Sequence, residues 1–198
     1  MDYSMKYLEG TQKIAALLEP EKIDEMVAML LDIRQKGGRL FFIGVGGGAG
    51  NAAHAVNDFR KIAGFEAYAP TDNVSELTAR VNDDGWETVF ANWLKGSHLN
   101  KNDGLFVFSV GGGSAEKNIS TNIVRALEYG RSIGVKIFGI VGRDGGYTKQ
   151  VADACILVPT IDPDMVTPFT EAFQSVIWHL LVSHPLLKTY DMKWESME

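Results

Sequence analysis

The chain predicts an α/β fold, a three-layer sandwich with a central parallel sheet and helices on both faces. Three observations carry this. RLFFIG, GLFVFSV, VKIFGIVG and ACILVP are short runs apolar on both faces, as strands covered on two sides must be. Helical periodicity separates the runs. Three of the runs lead into glycine turns, GVGGG, GGG and GRDGG, at the carboxyl edge where such sheets bind ligands.

The elements follow in order. Residues 3–18 and 21–36 read as paired helices broken by Glu19-Pro20; in the second, Ile23, Met26, Val27, Leu30, Leu31 and Ile33 keep mostly to one stripe. Gly37-Gly38 stops it. RLFFIG is a strand, and GVGGG opens a helix over roughly 48–63. FEAYAP reads as a strand, and SELTARVNDDG and WETVFANWLKG as helical pieces. GLFVFSV leads through GGGS into a long helix, AEKNISTNIVRALEYGRSIG. VKIFGIVG and ACILVP follow, and an apolar helix from Pro168 to His184 closes the body. With no linker or low-complexity stretch, one domain is expected over 1–198: a helical pair (1–37), an α/β body (38–187) and a tail (188–198).

Composition narrows the function. The 198 residues are 45% hydrophobic and carry a formal charge of -6, which disfavours nucleic acid and membrane surfaces as partners. The 19 Lys and Arg form no basic run. The lone Cys155, inside ACILV, points to a buried structural thiol in a reducing compartment. MDYSMKYLEG has neither a basic nor an apolar signal region, and no run suffices to span a bilayer, so a cytoplasmic location is expected.

The glycine turns are candidate phosphate sites. GVGGGAG is not a dinucleotide fingerprint, and GGGS lacks the Lys-Ser/Thr of a P-loop. Each still offers unhindered N–H groups at a helix start. One such turn is equally a tight strand-to-helix connection; two in one domain, the second bracketed by Ser109 and Ser114, favour a phosphate ligand. Ser114 is also expected to cap the following helix.

At these motifs the chain resembles the SIS (sugar isomerase) fold, with a flavodoxin-like sheet, and within it the phosphoheptose isomerases. The resemblance runs from the paired helices to the last apolar helix. It is carried by GVGGGAGNAAH for a GNGGSA-type loop, VNDDG for SNDxG, SVGGGS for STSGNS, and GRDGG for GKDGG. Val45 and Gly48 stand where the family has Asn and Ser, and Val110 and Gly111 where it has Thr and Ser.

The resemblance implies aldose–ketose isomerisation of sedoheptulose 7-phosphate to a heptose 7-phosphate through an enediol, in a homotetramer with sites between subunits. It further implies a role in heptose precursors for cell-surface polysaccharide such as lipopolysaccharide or capsule. By position Asp58 falls on the family's basic glutamate. A one-residue shift of the last helix puts His179 on its histidine, instead of Trp178, and Glu171 on its substrate- or metal-binding glutamine. Gly46, Gly47, Gly48, Ser109, Gly111, Gly112 and Ser114 then hold phosphate, with Asn82, Asp83 and Glu171 on the substrate. His54, Asp58, Glu171 and His179 would make a two-nitrogen, two-oxygen set for zinc. His54 and Asp58 share a helical face, which a plain His–Asp hydrogen bond explains equally. The helix is expected to send both toward the glycine floor. Two rivals stand beside this reading: a non-catalytic SIS module that senses a phosphosugar or binds a protein, and an isomerase for another sugar phosphate, such as a hexulose phosphate.

Other candidates have simpler roles. His98 and His184 read as structural or solvated, Glu76–Arg80 as a solvated pair, Asp144 as a turn residue, and the four tryptophans as packing.

Overall fold

In the computed structural model, which describes residues 2–191, five parallel strands form one sheet in the order β2-β1-β3-β4-β5. These are β1 (Leu40–Gly44), β2 (Ala67–Tyr68), β3 (Gly104–Ser109), β4 (Lys136–Val141) and β5 (Ala154–Leu157). Eight α-helices among the described residues accompany them: α1 (Tyr3–Leu17), α2 (Pro20–Gln35), α3 (Gly47–Lys61), α4 (Val74–Asp84), α5 (Val89–Gly96), α6 (Thr121–Ile133), α7 (Gly146–Val151) and α8 (Val166–Ser183). The order is the flavodoxin-like one, with its switch point between β1 and β3.

Strand alternation makes the three layers. Leu40, Phe42, Phe106, Phe108, Phe138 and Ile140 join one core with α1, α2, α3 and α8. Phe41, Ile43, Leu105, Val107 and Ile137 face the other way, into a core with α5 and α6. Successive strand residues point to opposite faces, so a run apolar throughout feeds both cores. Pro20 starts α2 where its missing N–H costs nothing, and Gly134 ends α6 in the left-handed conformation.

Several expected elements differ. FEAYAP pairs only through Ala67 and Tyr68, because β2 lies at the sheet edge against β1 alone. The long helix expected from Ala115 starts at Thr121, since Asn118 and Ser120 are left-handed at φ 54° and 48°. Ser114 is therefore not its cap; its backbone pairs with Ile119 across a small turn. α7 was not expected. No helix among the described residues is long and apolar enough to cross a membrane.

Candidate active site

Gly48, in the first turn of α3, seats that helix on β3. A Cβ there would collide with the Phe108 carbonyl, so only glycine allows this approach. Along α3, Asn51, His54 and Asp58 follow at intervals of three and four and share one face, which packs on α8.

Asn51 organises that contact. Its amide donates to the Glu171 carbonyl (3.1 Å) and to Gln174 Oε1 (3.0 Å). Its oxygen accepts from Ser175 Oγ (2.6 Å) and Trp178 Nε1 (3.4 Å). Gln174, fully buried, donates onward to the Ile140 carbonyl of β4 (3.1 Å). This chain of bonds fixes α8 against both α3 and the sheet. Trp178 is thereby in the core and His179 on the α3 side.

His179 lands on Asp58. Its Nε2 lies 3.8 Å from Asp58 Oδ2, and His54 Nε2 lies 3.7 Å from the same oxygen. One ligand atom from each of the three residues lies within 4.8 Å of the others, a cluster able to hold a metal ion. Asp58 is 5% exposed, and Asn57 Nδ2 donates to its Oδ1 at 2.7 Å, leaving Oδ2 to the histidines. His179 Nδ1 sits 2.7 Å from the Ser175 carbonyl. A carbonyl only accepts, so Nδ1 carries the hydrogen and neutral His179 presents an Nε2 lone pair to Asp58. His54 packs its ring edgewise on Trp178 at 4.6 Å.

Glu171 does not join this cluster. Its carboxylate occupies the space a Cβ on Gly47 would need, at the opposite end of α3. Glu171 and His179 are eight residues apart, roughly 12 Å of helix rise. The four-ligand set is thus a three-ligand set. The expectation that His54 and Asp58 reach the glycine floor fails for the same reason: Asp58 lies eleven residues beyond Gly47, roughly 16 Å along α3.

The other glycine turns close on each other. Gly142 N donates to the Val110 carbonyl (3.0 Å), and Tyr147 N to that of Gly113 (2.8 Å). The Gly112 carbonyl accepts from both Thr148 N and Thr148 Oγ1. A Cβ on Gly112 would strike the Gly145 carbonyl. Gly112 N donates to Ser109 Oγ (3.0 Å) and Lys117 N to Ser114 Oγ (3.2 Å), so both serines brace the turn while their own O–H groups stay available. Gly46, at φ 59°, and Gly47, the first residue of α3, are exposed. Asn82 and Asp83 bond each other (2.8 Å) on the exposed end of α4, which packs on α5 and on residues 70–72. They are not drawn into the Asp58 cluster.

The remaining candidates take structural places. The His98 carbonyl accepts from Arg39, and His184 Nε2 lies 3.8 Å from Asp24. Asp144 accepts from Gly146 N, as a turn residue does, and Arg80 bonds Glu76 at 2.7 Å. Trp194 lies outside the described residues. A cavity of about 310 Å³ between α1 and residues 161–169 contains none of the cluster. Asn51, Asn57 and Gln174 were not anticipated. The signal was a polar residue at each helix-contact position: Asn51 in register with His54 and Asp58, and Gln174 within an apolar helix.

The model of the SIS domain matches residues 3–142. The phosphoheptose isomerase of Helicobacter pylori (strain Shi470) is 30% identical over 182 residues, covering 89% of this chain and 88% of the relative. That of Rhodospirillum rubrum is 31% identical over 80% of this chain and 81% of its own. The solved structure of the Neisseria gonorrhoeae phosphoheptose isomerase superposes with a TM-score of 0.77 at 22% identity, over 91% of this chain and 93% of that one. The chain belongs to the SIS domain family.

Proposed function

We propose that the protein is a phosphosugar isomerase that interconverts sedoheptulose 7-phosphate and an aldoheptose 7-phosphate. The carrying observation is the convergence of Asp58 from α3 and His179 from α8, 3.8 Å apart, in a chain akin to phosphoheptose isomerases. In the ketose-to-aldose direction the Asp58 carboxylate takes a proton from the carbon beside the carbonyl. The C–H electron pair becomes the enediol double bond, and the carbonyl oxygen receives a proton from His179 Nε2, which carries one only as imidazolium. Reprotonation at the neighbouring carbon and loss of a hydroxyl proton complete the aldose. His54, Asp58 and His179 would alternatively hold a zinc ion, which when bound takes the His179 Nε2 lone pair and supplies Lewis-acid polarisation of a carbonyl in place of that proton.

The glycine turns hold the phosphate in this reading. Asp58 and the glycine floor are roughly 16 Å apart along α3, beyond the span of one seven-carbon sugar phosphate. That separation supports sites shared between subunits of a homotetramer, each chain being a single SIS domain over 1–198. The setting is the cytoplasm, and the product feeds heptose units for cell-surface polysaccharide.

The test is incubation with sedoheptulose 7-phosphate in deuterated water. Deuterium should enter at the carbon beside the carbonyl as aldose forms. Absence of exchange, with and without zinc, would sink the isomerase reading; sugar-phosphate binding without exchange would favour a non-catalytic sensor. Exchange confined to hexulose phosphates would reassign the substrate.

A further inference from the structure

Arg143 stands in the GRDGG turn with φ at 52°, a left-handed conformation that glycine adopts without strain and arginine does not. Glycines surround it at 142, 145 and 146, yet this position carries a long cationic side chain. The side chain lies along the neighbouring turn: a Cβ on Gly111 would be 3.7 Å from Arg143 Cδ, ordinary van der Waals contact. The two turns cannot drift apart, because Gly142 is bonded to Val110, Tyr147 to Gly113, and Thr148 twice to Gly112.

Arg143 also has no side-chain partner among the described residues. The arginines in ion pairs among the described residues are Arg39, Arg80 and Arg125. The adjacent carboxylate, Asp144, accepts from Gly146 N within the turn. Arg143 is exposed, two residues past the carboxyl end of β4, where Val141 pairs with Ser109 of β3. Within this turn Val110, Gly111, Gly112 and Gly113 offer no side-chain donor.

We propose that Arg143 is the principal charged ligand of the substrate's phosphate, seated over the Gly111–Gly113 turn, whose own residues carry no side-chain donor. A guanidinium offers two parallel N–H donors matched to two phosphate oxygens, a stronger contact than two neutral hydroxyls provide. Gly111 leaves the side chain its path across the turn. The ligand class is a phosphate monoester dianion. The inference rests on the phosphosugar reading and adds which residue supplies the positive charge.

The experiment compares wild type with Arg143→Gly, Arg143→Gln and Arg143→Lys. Calorimetric binding of inorganic phosphate and of sedoheptulose 7-phosphate is measured alongside kcat, KM and Tm. Arg143→Gly relieves the left-handed strain, so its Tm should equal or exceed that of wild type. Both Gly and Gln variants should raise the phosphate Kd and the substrate KM about tenfold or more, with kcat within about threefold. Lysine should restore at least part of the binding. Unchanged phosphate affinity in both Gly and Gln variants overturns the assignment while leaving the isomerase reading intact. If wild type binds neither inorganic phosphate nor the sugar phosphate, both readings fall together.

Discussion

Asp58 Oδ2 lies 3.8 Å from His179 Nε2, too far for a direct hydrogen bond and close enough for one atom to sit between them. Two helices deliver these groups to the same point, with the carboxylate buried and its second oxygen held by Asn57. Such a pair can pass a proton on and off a substrate. Asp58→Asn keeps the shape and removes the base, so kcat should fall about 10²- to 10⁴-fold with little change in substrate affinity. His179→Gln should lower kcat by a similar order. Retained deuterium exchange in Asp58→Asn would reassign the base.

A metal ion should bind this point through three side chains. Zinc at 100 times its Kd should stabilise the folded chain by about 2.7 kcal/mol if the unfolded chain does not bind it. His54→Ala and His179→Ala should lose that shift in thermal denaturation. Glu171→Gln should keep it, because the Glu171 carboxylate lies against Gly47, away from the cluster. Loss of the shift in Glu171→Gln would restore Glu171 to the ligand set.

Asn51 should matter without touching substrate. Replacement by leucine, of similar size, leaves Gln174 Oε1 and Trp178 Nε1 without their partner in a buried contact. Each stranded group costs about 1–3 kcal/mol, so urea denaturation should show a loss of about 2–6 kcal/mol. The bonds from Asn51 also set the rotation of α8 that turns His179 toward Asp58 and Trp178 inward. Thus kcat should fall more than KM rises, and residual activity should keep the wild-type pH profile if Asp58 and His179 still do the chemistry.

How much of this was legible in the sequence depends on range. Runs such as LFFIG and LFVFS are apolar on both faces, and with helical periodicity between them the parallel three-layer fold follows. Helix ends set by backbone conformation were not visible: nothing in NIST announces left-handed Asn118 and Ser120, and GYTKQV is too short to show a period. At the site, His54–Asp58 was readable because the pair is local. His179 was reached by resemblance, since only its register separates it from core Trp178. Glu171 went astray because eight residues of helix rise separate it from His179, which a ligand count ignores. Asn51 and Arg143 were missed because their roles arise from contacts with residues far away in the chain.

The thiol of Cys155 gives the fold its own pH signature. Burial pushes it up to about 11 from an ordinary value of 9.0, with nearby Lys149 opposing weakly. The unfolded chain would ionise this thiol near 9.0, so between about pH 9 and 11 the native state holds the proton more tightly. Stability is therefore unaffected by Cys155 below that window and falls as pH rises through it. A shift of about two units corresponds to a loss of roughly 3 kcal/mol above pH 11. Cys155→Ala should remove this part of the slope in urea titrations at pH 8.5 and 10.5, though it starts from a lower base because a partly filled position has been emptied. Native protein should also resist alkylation by iodoacetamide at pH 8.5 and react once unfolded in urea. Rapid labelling of the folded chain would show that the thiol is not shielded as its surroundings require.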